Sequence, residues 1–341
     1  MNLKKTILIA TIITTFLYPP LTTAETQKID LNAIQKSANE GSMNAQISLG
    51  YLYSHGEKVS QDYIKAAKWY EKAAEQGSNI AQILLGSMYY NGEGVLQNYV
   101  KALEWYQKAA NQGNAQAQFN LGVSYAEGRG VPQNYVKAAE WYQKAANQGN
   151  TDAQNNLGGL YSKGKGVPKN YTQAAEWYLK AANQGNANAQ NNLGGLYSNG
   201  EGVPQDYAKA LEWYRKSADQ GSANAEFNLA LMYEKGRGIP KNYTQAIHWY
   251  RKAANQGNVY AQFNLGMSYA EGEGVEKNYT QAAAWFRKAA DQGNDNAQYN
   301  LATLYYRGLG VPKNINVAKQ WYRKAAIQGN SEAKNFLDSL K

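Results

Sequence analysis

The chain's tryptophans stand at Trp69, Trp105, Trp141, Trp177, Trp213, Trp249, Trp285 and Trp321, each 36 residues after the last. A glycine series, Gly77, Gly113, Gly149, Gly185, Gly221, Gly257, Gly293 and Gly329, keeps the same step. Eight units of 36 residues therefore fill Ser42–Gly329 without an insertion. A fixed period of this length means one supersecondary unit built repeatedly, each copy burying its apolar face only against its neighbours. Such a chain has no single large core. Its 32 glycines and 28 tyrosines, against 6 phenylalanines, fit thin layers of small and aromatic side chains.

The unit Asn114–Gly149 shows the build. Ala117, Leu121 and Tyr125 recur every four residues and share one side of a first helix. Gly128-Arg129-Gly130 stops it, because glycine enters left-handed backbone readily. Val131-Pro132 reads as the opening of a second helix, where the missing proline N–H is harmless. There Tyr135, Ala138, Ala139, Tyr142, Ala145 and Ala146 form one stripe, with Glu140 and Lys144 opposite at ion-pair spacing. Trp141 lies on the flank, where a neighbouring helix would sit. Gly149 ends the unit and Asn150 is suited to cap the next. The expectation is an all-α, right-handed α-solenoid of antiparallel pairs, each helix roughly 13–16 residues long.

The spacing A-x-x-x-L-G-x-x-Y-x-x-G-x-G-V-P, followed by Y-x-x-A-x-x-W-Y-x-K-A-A-x-Q-G, resembles the Sel1-like repeat, a relative of the tetratricopeptide repeat. The 36-residue step and the Gly-x-Gly turn favour it over the tetratricopeptide repeat, whose period is about 34. Departures are local. Lys58 stands where the second turn glycine is expected, Ser60, Leu96 and Glu276 replace the proline, and Ala230 and Ala302 replace the glycine of Leu-Gly.

Residues 1–24 differ in kind. Lys4 and Lys5 precede the apolar run Thr6–Leu17, and Thr22-Thr23-Ala24 offers small residues for cleavage, the order of a signal peptide. Residues 25–41 and 330–341 read as capping helices on either side of the repeats at 42–329. The expected product is exported, periplasmic or at the cell surface, with no membrane span in the mature chain and a monomeric state. The net charge is +9, spread without a basic run, which argues against nucleic acid as a partner.

Chemistry is sparse. There is no cysteine, and the two histidines, His55 and His248, fall at variable outer positions. No nucleophile elbow, metalloprotease helix or calcium loop is present. No catalytic residue, metal site or cofactor is assigned, and the chain reads as non-enzymatic. Asn170, Asn242 and Asn278 open glycosylation-type triplets, read as a helix-start Asn meeting a repeat Thr.

A binding surface is sought where the repeat leaves residues free. Three columns of the first helix vary widely, at about 200°, 240° and 260° around the helix from Ala117. From them the candidates are Phe119, Val123, Asn155, Asn191, Phe227, Leu231, Tyr260, Phe263, Met267 and Tyr299. An asparagine column, Asn120 to Asn300, runs beside them. The resemblance implies that first helices line the concave, ligand-bearing face. It also implies a scaffold that binds a protein or peptide, with roles in host interaction, virulence or envelope signalling and with host proteins among the partners. The alternative is a periplasmic modulator of cell-wall enzymes, or a peptidoglycan or β-lactam binder. The bland alternative, which the sequence favours, is that the aromatics pack between adjacent first helices and the asparagines satisfy turns.

Overall fold

The computed structural model describes Asp30–Ser339; the expected signal peptide lies outside the described residues. Among the described residues every regular element is an α-helix. A lone α1 (Leu31–Asn39) is followed by α2 (Met43–His55) with α3 (Tyr63–Glu75) and α4 (Asn79–Asn91) with α5 (Tyr99–Asn111). Next come α6 (Ala115–Glu127) with α7 (Tyr135–Asn147), α8 (Thr151–Lys163) with α9 (Tyr171–Asn183) and α10 (Ala187–Asn199) with α11 (Tyr207–Asp219). The series ends with α12 (Ala223–Lys235) and α13 (Tyr243–Asn255), α14 (Val259–Glu271) and α15 (Tyr279–Asp291), α16 (Asp295–Arg307) and α17 (Ile315–Ile327), and a lone α18 (Ser331–Asp338). These eight pairs are repeats one to eight of a helical solenoid. Two compact units divide the chain, one through Ala153 and one from Gln154 onward. Within each unit, the helices of a repeat lie side by side, and the second helix packs on the first helix of the next repeat.

Local chemistry sets the helix ends. Asn114 caps α6 by accepting from the Gln116 and Ala117 N–H groups, and Gly128, at φ 72°, closes it by donating its N–H to the Ser124 carbonyl. The second turn glycine has a different task. A Cβ on Gly202 (φ +71°) would lie 2.2 Å from the Tyr171 carbonyl carbon, so the turn rests directly on the start of the preceding second helix. Repeat one, which among the described residues follows a lone helix rather than a pair, carries Lys58 there at φ 63°.

Proline does not open the second helix. Asn134 is the N-cap and Tyr135 the first helical residue, so Pro132 lies in the connection before the cap. The cap is held from behind as well: the Asn134 N–H donates to the Tyr125 carbonyl at 2.8 Å, and Gln133 Nε2 to the Ala126 carbonyl at 2.7 Å. This explains why Ser60, Leu96 and Glu276 are accepted at the proline position, where the side chain is exposed and no helical N–H is at stake. The glycosylation-type residues Asn170, Asn242 and Asn278 are N-caps in the same way.

The second-helix stripe is buried as its spacing predicts, with Ala138, Ala139, Tyr142, Ala145 and Ala146 in the core. Tyr135 is half-buried. The first-helix stripe is broader than the apolar pattern indicates. Gln118, Gly122 and Ser124 are buried with Ala117 and Leu121, while Tyr125 is half-buried. Gly122 lies under the Tyr142 ring, whose Cδ1 would be 2.4 Å from a Cβ there. The glycine of Leu-Gly thus makes room for the aromatic of the paired helix.

Trp177, Trp213 and Trp321 are buried and the other five tryptophans half-buried. Trp141 packs against a cluster containing Ala102 and Tyr106 of the preceding repeat, so the tryptophan does join successive repeats. Its outer face is covered by the lysine three positions on. Lys144 Nζ sits 4.0 Å from the Trp141 ring centre, and all eight tryptophans carry such a lysine within 4.5 Å. The i, i+4 ion pair foreseen for Glu140 and Lys144 is seen at Glu212–Lys216, at 2.6 Å, where Lys216 also lies over Trp213 at 4.2 Å.

A polar ladder also joins repeats. The buried glutamine of one first helix accepts from the glutamine that ends the paired second helix: Gln76 to Gln46 at 2.7 Å, Gln112 to Gln82 at 2.9 Å, Gln220 to Gln190 at 2.8 Å. The buried glutamine then donates to a carbonyl of the preceding repeat, as Gln82 does to Ala74 and Gln190 to Ala182, both at 3.1 Å. Both ends of the amide are satisfied, so its burial is not penalised. Repeat six breaks the series with Glu226, which is 1% exposed.

Candidate functional site

Nine of the ten candidate side chains are half-buried, and only Tyr260 is exposed, at 60%. Each first-helix phenylalanine rests on the second-helix aromatic of its own repeat. Ring centres are 5.8 Å apart for Phe119 and Tyr142, 5.9 Å for Phe227 and Tyr250, and 5.9 Å for Phe263 and Phe286; Tyr299 meets Tyr322 at 5.6 Å. One side of each ring is thus core. Asn155 and Asn191 are tied to the next first helix, accepting from Asn192 Nδ2 at 3.1 Å and Asn228 Nδ2 at 2.9 Å. Within the asparagine column Asn264 instead reaches the Tyr250 hydroxyl, and Asn300 its own helix at the Asn296 carbonyl.

Three candidates come together. Phe227, Tyr260 and Phe263, with Val259, line an open cavity of about 460 Å³ across the first helices of repeats six to eight. Its other side is polar: Asn264, Gln292, Gly293, Asn294, Asp295 and Asn296. The volume falls within the range of ligand pockets, roughly 300–1,000 Å³. Phe227 and Tyr260 lie with ring centres 5.9 Å apart, tilted by 35°. The polar rim is fixed from outside. Asn294 caps α16 through the Ala297 N–H, Asp295 accepts from Asn330 Nδ2 at 3.3 Å, and Gln292 belongs to the ladder through Gln262. Phe119 and Val123 lie in the first unit, apart from this cavity; Asn155, Asn191, Leu231, Met267 and Tyr299 are not among its lining residues.

Asp295 and Asn294 lie outside the variable columns, the first of which begins one residue later with Tyr260 and Asn296. A signal was available: the position preceding the candidate column reads Met43, Asn79, Ala115, Thr151, Ala187, Ala223, Val259 and Asp295, with the only acid in repeat eight.

His55 stacks on Tyr51 at 4.0 Å, with its Nδ1 2.8 Å from Ser54 Oγ and 3.0 Å from the Tyr51 carbonyl oxygen, while His248 lies edge-on to Trp249. Among the described residues no group of His, Cys, Asp or Glu is arranged to hold a metal ion, and no helix is long and apolar enough to cross a membrane.

The chain matches the Sel1 repeat family in eight consecutive segments, 44–78, 79–114, 115–150, 151–186, 187–222, 223–258, 259–294 and 295–330. Comparison with curated proteins returned no match. Among solved structures, it is similar to c5321, a protective antigen present in uropathogenic Escherichia coli strains and displaying the same fold, at 43% identity and a TM-score of 0.80. That likeness covers 92% of this chain and 67% of the other. A Sel1 repeat protein from Oxalobacter formigenes is 32% identical, with a TM-score of 0.72, covering 96% of this chain and all of the other. With repeat after repeat matched from residue 44 to 330 and the helix pairs in the same arrangement, this chain belongs to the Sel1 repeat family.

Proposed function

We propose that this chain is an exported, monomeric scaffold that takes a protein or peptide partner on its first-helix surface, with the cavity of repeats six to eight as the anchor point. Sel1 repeats are non-catalytic scaffolds that mediate protein–protein interaction. The observation that carries the reading is Tyr260. Its column holds Asn44, Ile80, Gln116, Asp152, Asn188, Asn224 and Asn296 in the other repeats, so no packing rule demands an aromatic there. Yet the ring stands 60% exposed beside two half-buried phenylalanines. Exposed aromatics at the mouth of a cavity are what binding hot spots are made of. Likeness to a protective antigen of uropathogenic E. coli, together with the leader-like residues 1–24, supports a host-facing place of action and a host protein as partner.

The test is a crosslinking pull-down run in parallel from host secretions and from bacterial envelope extract, with wild type, Phe227→Ala and Phe263→Ala. Truncating a central aromatic anchor costs about 2 kcal/mol or more, so capture should fall about thirtyfold. Unchanged capture by variants with intact circular dichroism would sink the anchor. Enrichment of muropeptides alone would replace the scaffold reading with a cell-wall one.

A further inference from the structure

We infer that the cavity of repeats six to eight receives one cationic side chain, an arginine or lysine of the partner segment. The inference rests on the scaffold reading and specifies the chemistry of its anchor.

The chain itself holds an arginine in this way. Arg129 lies over two rings, 5.2 Å from the centre of Tyr90 and 5.7 Å from that of Tyr99, which are 5.1 Å from each other. Its Nε meets the Glu127 carboxylate at 2.9 Å, and its Nη1 donates to the Tyr90 hydroxyl. Two aromatic rings and a carboxylate make a complete receptor for a guanidinium, whose weak hydration lets it lie on ring faces while donating in plane. The cavity brings together the same parts. Phe227 and Tyr260 supply two rings at 5.9 Å, and Asp295 supplies the carboxylate.

Charge complementarity favours the same occupant. Asp295 is the one charged residue lining the cavity, and no lysine or arginine is among the lining residues. Among the described residues none of the basic side chains lines it. Lys252 and Lys288, on the second helices α13 and α15, are held over Trp249 and Trp285 at 4.5 Å and 3.9 Å. The Asn294 and Asn296 amide oxygens already accept from the Ala297 N–H and from Asn330 Nδ2, and each keeps a second lone pair for an N–H donor of the occupant. An acidic side chain would meet Asp295 with like charge. An uncharged apolar one would leave the Asp295 carboxylate facing it without gain.

The experiment titrates ¹⁵N-labelled full-length mature protein with four end-blocked tripeptides, Gly-X-Gly, where X is arginine, lysine, norleucine or glutamate. The expected result is saturable shifts at Tyr260, Gly293 and Asp295 for arginine and lysine, with norleucine and glutamate at least about tenfold weaker. Asp295→Asn keeps the bond from Asn330 and should weaken the arginine peptide about tenfold while leaving norleucine unchanged. Tyr260→Asn, which installs the residue that the same column holds in the neighbouring repeats (Asn224 and Asn296), should weaken arginine and lysine alike. Norleucine binding as tightly as arginine, a preference for glutamate, or no shift at the cavity in a folded protein would each overturn the inference. If a captured partner loses affinity with Phe263→Ala but is indifferent to Asp295→Asn, the scaffold reading stands and the cation inference falls.

Discussion

Glu226→Gln should stabilise the protein, because it repairs the one carboxylate rung of the glutamine ladder. Glu226 occupies the column of Gln46, Gln82, Gln118, Gln154, Gln190, Gln262 and Gln298 and is equally buried. It keeps one half of the ladder: Gln256 Nε2 donates to its Oε2 at 2.7 Å. A carboxylate cannot make the other half, the donation to the carbonyl eight residues back that Gln190 and Gln262 make at 3.1 Å. That carbonyl, on Ala218, still accepts from the Gly221 N–H at 2.8 Å, so the loss is one bond and not an orphaned acceptor. The nearest cation, Lys252 Nζ, is 3.9 Å away, half exposed and also held over Trp249, a weak counter-charge. Burial accordingly outweighs Lys252 and Gln256 and holds the Glu226 carboxyl above the usual glutamate range. Glutamine regains a bond of about 0.5–1.5 kcal/mol and removes a buried charge, so we expect about 1–2 kcal/mol in its favour near neutral pH.

The pH dependence gives the sign. A carboxyl whose folded-state pKa is raised binds its proton more tightly when folded. Its stabilisation is therefore complete below the unfolded value, ~4.3, and is lost as pH rises through the folded one. Protonated Glu226 also regains a donor for Ala218. The advantage of Glu226→Gln should thus be largest at about pH 7.5 and close as pH falls from the raised folded-state value to the ordinary glutamate value of ~4.3, below which it no longer changes. Urea denaturation at a series of pH values measures this, with hydrogen exchange around Gln190 and Gln256 to show that the change is local. A variant less stable than wild type at neutral pH, or a difference that ignores pH, would refute the reasoning.

Two further expectations concern the scaffold. Gly202→Ala combines left-handed backbone with a Cβ 2.2 Å from the Tyr171 carbonyl carbon, so a loss of about 2–4 kcal/mol is expected in thermal or urea melts; a loss under 1 kcal/mol, ~, would show that the turn shifts freely. Burial pushes the Tyr106 and Tyr214 hydroxyls up to about 12, with the serine hydroxyls Ser87 and Ser198 opposing it. A raised phenol pKa gives stability that is present below the ordinary tyrosine value of ~10 and lost as pH rises through the folded value. Ultraviolet titration should therefore show these rings ionising late and together with unfolding; their titration at the ordinary value in folded protein would contradict the packing.

Much of the fold was legible because its determinants are local and repeated eight times. The alanine and tyrosine stripes, the asparagine caps and the left-handed glycines each act within one or two turns, and the periodicity averages away exceptions such as Ala230 and Ala302. Pro132 was misplaced for an equally local reason: its ring suits a helix start, but the Asn134 cap and its bond to Tyr125 decide where the helix begins. Glu140 and Lys144 have the right spacing for an ion pair, but spacing does not show that the lysine also lies over the tryptophan three positions before it, as Lys144 does over Trp141 and Lys216 does over Trp213 while pairing with Glu212.

The sequence by itself determined the architecture: a 36-residue period, a helix pair per period, and burial of alanine, leucine and tyrosine between neighbours. It also marked the columns on which a binding surface would have to lie. Only the tertiary structure decided which of those residues meet. Phe227, Tyr260 and Phe263 share a cavity with Asp295, whereas Phe119 and Asn155, in the column of Phe227 and Phe263, are not among its lining residues, although Phe119 rests on Tyr142 just as Phe227 rests on Tyr250. It likewise turned eight polar side chains, which read as surface in a hydrophobicity pattern, into the buried ladder between repeats. The physical reason is distance. Helix formation and capping are set by neighbours a few residues apart, while a cavity or a ladder depends on atoms some 30 residues apart in the chain coming within a few ångströms.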